Sequence, residues 1–225
     1  MNKKTQSIFS LVVGCISALV ALFYLISGIL ELTHIGDVAG SATAVIYLIL
    51  IVLVALCGAA GLCFCGVKLI LGFTKKNDDP SYIKLAAVVF FSYHALVNLI
   101  LLFFNLDIIE YFGVEFWLKL VVVIIGLVLA LVAVLNKKFD AKTSAIFNIV
   151  VQGYGFVAAI IVLALGAAGL GLAALIFNML AFAVAVTYFI FEIIIANNGG
   201  AKETKAVEAE DTKEVEEPKA EDAAE

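Results

Sequence analysis

Arginine is missing from this chain: all fourteen basic residues are lysine. Without a guanidinium there is no bidentate phosphate clamp, no arginine finger and no arginine-based voltage sensor. Charge is scarce as well, at 15% of 225 residues, and there are two prolines against 64% apolar residues. Soluble domains average about 45–50% apolar, so a soluble two-domain protein is excluded. No basic patch exists for nucleic acid. Catalytic signals are absent too: there is no HExxH, no serine in a GxSxG turn and no GxGD-type aspartate. Intramembrane proteolysis therefore lacks a nucleophile or metal site, and no enzymatic activity, metal or cofactor is expected.

What the chain does have is six long apolar runs, at residues 8–32, 44–73, 85–106, 116–135, 145–165 and 170–195. Each reaches the roughly 20 residues that a helix needs to cross about 30 Å of hydrocarbon. None of them contains an aspartate. In a bilayer such backbone must close its hydrogen bonds within each segment, which means helices. The expected fold is an all-α integral membrane protein, a bundle of six transmembrane helices within residues 1–200, followed by an acidic tail at 201–225. That tail holds four lysines against ten acids, net −6, which leaves the first 200 residues at +1 of the chain's −5. It is too poor in large apolar side chains to bury a core, so it should be disordered or transiently helical. It would stay in the cytosol, either to recruit a basic protein partner or as an inert solubilising segment.

The lysines orient the bundle. Lys3 and Lys4, then Lys68, Lys75, Lys76 and Lys84, then Lys137, Lys138 and Lys142, fall at alternate ends of the spans. Those ends should face the cytoplasm of a cell membrane, with both termini inside. Residues 1–6 and the following apolar run imitate a secretory signal, but the run continues for seventeen residues beyond Cys15, long enough for an uncleaved span. The paired lysines at 3–4, 75–76 and 137–138 resemble a repeat that stops at the interface, as simple alternation of topology requires. Cys63 and Cys65 look like a metal pair, but residues two apart on a helix point about 200° apart and cannot share an ion.

Small and polar residues recur on one side of every span in alternating steps of three and four. The first has Gly14, Ser17, Ala21, Tyr24, Gly28 and Glu31; the second Gly58, Gly61, Cys65 and Lys68; the third Ala87, Phe91, His94 and Asn98. The fourth has Lys119, Val123, Gly126 and Ala130; the fifth Ala145, Asn148, Gln152 and Gly155; the sixth Ala174, Asn178, Ala181, Ala185, Tyr188 and Glu192. Helices in lipid associate through such seams, with Gly14, Gly28, Gly61 and Gly155 admitting the closest contacts, and seams of this kind also permit oligomers. Gly153-Tyr154-Gly155 resembles the end of a potassium filter but lies within a helix-length run, where glycines admit helix contact instead.

Four seam residues fall near mid-membrane: His94, Asn98, Gln152 and Asn178. Two readings apply. Together they can line a polar cavity for a solute, or let an imidazole carry protons. Alternatively they form an interhelical hydrogen-bond network that only fixes packing. Haem ligation is disfavoured, because His34 lies about 16 Å in depth from His94. Charges occupy two matched levels, Glu31 with Lys119 near the outer boundary and Lys68 with Glu192 near the inner one. Each pair neutralises if its helices adjoin; otherwise each side chain snorkels to water. Two functions are carried forward: a non-enzymatic membrane interaction or scaffold protein, and a transport or solute-binding subunit. Six spans with cytoplasmic termini and a small-residue first helix are similar in architecture, without a shared motif, to the substrate-binding subunits of energy-coupling-factor vitamin transporters.

Overall fold

The computed structural model describes residues 3–77, 79–106, 112–136, 138–165 and 169–214, with side chains not described for 3 and 198–214. Their order is α1 (Lys3–Thr33), the short α2 (Ile35–Val38), α3 (Ala42–Lys75), α4 (Ser81–Phe104), α5 (Val114–Leu135), α6 (Ala141–Ala164) and α7 (Gly169–Glu214). Six of these are long and apolar enough to cross a membrane. The helices outreach the apolar runs because polar interfacial residues, such as those at 3–7 and 81–84, can continue a helix into the headgroup region. α7 likewise runs past Ile195, so residues 201–214, expected to be disordered or transiently helical, are helical in this structure. Alanine, glutamate and lysine are all strong helix formers. Residues 215–225 lie outside the described residues.

Local chemistry marks the helix ends. Ser41 caps α3 by accepting the Ala44 amide at 3.3 Å. Lys76, in the left-handed conformation at φ 55°, ends that helix, and the Asn77 amide closes back on the Gly72 carbonyl at 2.9 Å. Asp79 then accepts the Ser81 amide at 2.9 Å, and Pro80 leads into α4, since a proline is tolerated where a helix begins. At the start of α6 the Thr143 hydroxyl beside Asp140 holds that exposed carboxyl below its ordinary range.

Each membrane helix packs on its neighbours in the chain, and α7 closes the circuit by packing on α1 as well as α6. The result is a ring in the order α1, α3, α4, α5, α6, α7. Its core is built by fitting rings into glycine notches. Phe91 of α4 lies against Gly126 of α5, and Phe182 of α7 against Gly155 of α6, where an added Cβ would come within 2.5 Å of the phenyl ring. α1 and α3 approach backbone to backbone: a Cβ on Gly66 would meet the Gly14 carbonyl oxygen at 2.7 Å and the Ala18 nitrogen at 3.0 Å. Phe90, Phe91 and Phe189 are completely enclosed as a consequence. Of the seam residues, Gly14, Ser17, Ala21, Tyr24, Gly28, Gly126, Asn148, Gln152, Gly155 and Asn178 are buried, Glu31, His94, Ala181 and Glu192 are half-buried and Lys68 is exposed, while Leu22 faces outward at 48% exposure. Gly61 is half-buried against Val89.

Candidate functional site: a polar vestibule in the helix ring

The ring has a lysine-rich end, at the α3–α4 and α5–α6 connections, and a lysine-poor end, where α1 finishes and α7 begins. Toward the lysine-poor end it encloses a cavity of about 260 Å³. Its polar wall comes from Tyr24 and Ser27 of α1, Tyr93, His94 and Asn98 of α4, and Lys119 of α5. Phe23 of α1, Val97 and Leu101 of α4, Val162 of α6 and Leu170, Gly171, Ala174 and Leu175 of α7 complete it. All membrane helices but α3 contribute.

The floor is made by Tyr24, 3% exposed, which stacks on Tyr93 with ring centroids 4.0 Å apart. Gly58 of α3 provides the room behind that stack, since a Cβ there would lie 3.1 Å from Tyr93 and 3.2 Å from Tyr24. Below lies a second cavity of about 20 Å³, lined by Ser17, Gln152 and Asn178 among apolar residues, about the space of one water molecule. Further down, Val13, Leu69, Ile83, Ala185, Tyr188 and Phe189 form an apolar cluster toward the lysine-rich end.

The four mid-membrane residues therefore do not share one cavity. His94 and Asn98 face the vestibule; Gln152 and Asn178 face the small chamber beneath Tyr24. Nor do they make the expected interhelical network. Asn98 donates to the His94 carbonyl at 2.7 Å, Asn178 to Ala174 at 2.8 Å and Asn148 to Ser144 at 2.6 Å, each one turn back on its own helix. An amide bonded in this way is satisfied without a neighbour. What remains is a set of buried polar atoms with no hydrogen-bond partner among the described residues: Tyr24 Oη, His94 Nε2, Asn148 Oδ1 and Gln152 Nε2. Tyr24 Oη lies beside Asn178 outside bonding geometry. The His94 ring is packed by Phe90 and Tyr93, at centroid distances of 4.6 and 5.0 Å, and the cation acting on it is Lys119.

Among the described residues neither candidate charge pair forms. α1 and α5 are not neighbours in the ring, so Glu31 acts on Tyr47 and Tyr93 while Lys119 turns to the vestibule. Among the described residues no acid comes within ion-pair distance of Lys119; the one such contact is between His34 and Asp37 on the exposed first loop. Lys68 snorkels, its ammonium 5.5 Å from the Phe64 ring, and Glu192 faces Lys84, which also reaches the Ser144 hydroxyl at 3.2 Å. The vestibule lysine and the Lys84–Ser144 contact thus escaped the sequence reading, although matched helix depths had drawn attention to two of these charges.

No protein-family model, curated protein or solved structure matches this chain. Its chemistry has to be read from its own residues. Residues 153–155 sit within unbroken α6, where the Tyr154 hydroxyl donates to the Val122 carbonyl of α5 at 2.8 Å, so this triplet is a packing element and not a re-entrant filter. Cys63 is exposed and Cys65 buried, on opposite sides of α3. The described residues contain no group of three or more histidine, cysteine or acidic side chains placed to hold a metal. A larger groove of about 460 Å³ between α3 and α4 is lined by leucine, isoleucine and phenylalanine alone, with Phe103 70% exposed, and faces the lipid.

Proposed function

We propose that this protein is a solute-binding or transport subunit of a membrane, its binding site the vestibule between Tyr24 and the start of α7. The observation that carries this reading is a cavity holding a lysine, a histidine, an asparagine and two tyrosines, with a second, smaller polar chamber beneath it, inside an otherwise largely apolar ring. Polar groups inside a membrane are costly and are kept where they line a pathway or site. A scaffold that needed polar residues only to hold its helices together would spend them across helices, whereas the asparagine amides here close on their own turns. The proposed orientation puts the lysine-rich end in the cytoplasm and the vestibule mouth outside. A closed apolar cluster beneath an open vestibule is the arrangement of a binding subunit or of an outward-facing carrier.

Gly171 supplies the test. It lines the vestibule, and a Cβ added there meets nothing within 4 Å, so Gly171→Trp should fill the mouth without disturbing packing. Wild-type protein extracted in mild detergent should carry a small molecule detectable by native mass spectrometry, and Gly171→Trp of equal thermal stability should lose it. A wild type with no retained molecule above background would remove the proposal.

A further inference from the structure

The chemistry of the vestibule wall narrows what it would hold. Lys119 is half-buried, a single cation with no acid within ion-pair distance among the described residues. Such a charge, partly desolvated, is stabilised by an anion in the same cavity. One lysine matches one negative charge. There is no arginine in the chain to grip a phosphate in bidentate fashion. Among the described residues Glu115 stands one turn before Lys119 on α5, exposed and not within ion-pair distance of it. Glu31 on α1 acts on Tyr93 from outside the lining, and α6 and α7 supply only apolar side chains and backbone. Much of the remaining wall is hydrocarbon: Val97 and Leu101 of α4, Val162 of α6 and Leu175 of α7. At about 260 Å³ the space falls just short of drug-sized pockets, which begin at about 300 Å³.

Resting on the solute-binding reading above, we infer that the ligand is a short-chain aliphatic monocarboxylate, its carboxylate on the Lys119 ammonium and its alkyl part along Val97, Leu101, Val162 and Leu175. The Tyr24–Tyr93 stack limits its length from below. Ser27 and Asn98 are among the neutral polar groups able to supplement the contact, and Asn98 keeps the second N–H of its side-chain amide after donating the first to the His94 carbonyl.

The experiment is calorimetric titration of the full chain in detergent with valerate, its neutral isostere valeramide, the cation pentylammonium and the long-chain palmitate. Valerate should bind at least about tenfold more tightly than valeramide, the difference expected for a charge-assisted hydrogen bond. Lys119→Gln should reduce valerate to the valeramide level and leave valeramide unchanged, and Lys119→Arg should restore a preference for valerate. Equal binding of valerate and valeramide, or a preference for pentylammonium, overturns the inference without touching the vestibule reading, and needs no variant to fold. Palmitate binding without valerate overturns it in favour of a carboxylate drawn from the lipid. If none of the four binds and the wild type retains no small molecule, the solute-binding reading itself falls.

Discussion

At the scale of single residues, the buried asparagines of this bundle act locally and the glycines act between helices. A buried asparagine that donates to the carbonyl four residues back gives its helix a satisfied polar group but no grip on a neighbour. The grip comes from notches. Phe91 and Phe182 are large rings held against Gly126 and Gly155, and neither ring has exposed area through which to retreat: they are 0% and 4% exposed. Gly155→Ala should therefore destabilise the folded protein by about 1–3 kcal/mol, the usual cost of overpacking. Val157→Ala, on the lipid-facing side of the same helix at 52% exposure, should stay within about 0.5 kcal/mol. Thermal unfolding in one detergent compares them, and equal effects would contradict the notch. Phe182→Leu in the Gly155→Ala background should recover part of the loss, because the smaller side chain yields the space that the new methyl takes.

At the scale of helices, sequence periodicity revealed which side of each helix turns inward but not which helices meet. The three- and four-residue steps placed Tyr24, Asn148, Gln152 and Asn178 inside, and all are buried. Pairing was not legible because equal depth says nothing about position around a ring. Glu31 and Lys119 share a level, yet their helices are separated by α3 and α4 on one side and by α6 and α7 on the other. The same gap explains the cavities: His94 and Gln152 lie on seams of helices that barely touch, and Tyr24 and Asn178 separate the spaces they face. Ile51 and Ile161 are half-buried, since in a six-membered ring each helix has two neighbours and a narrower outward face. Ring closure is itself testable. Phe9 of α1 and Phe191 of α7 meet in a tilted contact with centroids 5.1 Å apart, and Phe23 and Phe177 in another at 5.7 Å. Replacing either pair by cysteines in a background free of the four native ones should allow a short bis-thiosulfonate reagent to link the first and last membrane helices. The linked monomer should migrate faster on a denaturing gel; a cysteine pair at Phe9 and Leu118 should not link, and a ring left open would link neither aromatic pair.

At the scale of the whole molecule, the decisive asymmetry is electrostatic. Lys68, Lys75, Lys76, Lys84, Lys138 and Lys142 gather at one end of the ring, whereas the single lysine toward the other end, Lys119, turns inward to the vestibule instead of marking the surface. The exposed side chains around that second end are acidic or neutral, with Asp37 and Glu115 among them. Insertion of a polytopic chain retains lysine-rich loops in the cytoplasm, so the first and third loops should emerge outside and the second and fourth should stay within. Single cysteines at Asp37, Asn77 and Asp140, again in a cysteine-free background, read this directly. An impermeant maleimide added to intact cells should label Asp37→Cys and leave Asn77→Cys and Asp140→Cys unmodified until the membrane is permeabilised. Labelling of Asn77→Cys from outside would invert the molecule and turn the vestibule toward the cytoplasm. The cavity chemistry would survive that inversion, since it depends on Lys119 and its apolar wall and not on direction. The same calorimetric preference for a carboxylate would then describe a site loaded from the cytoplasm.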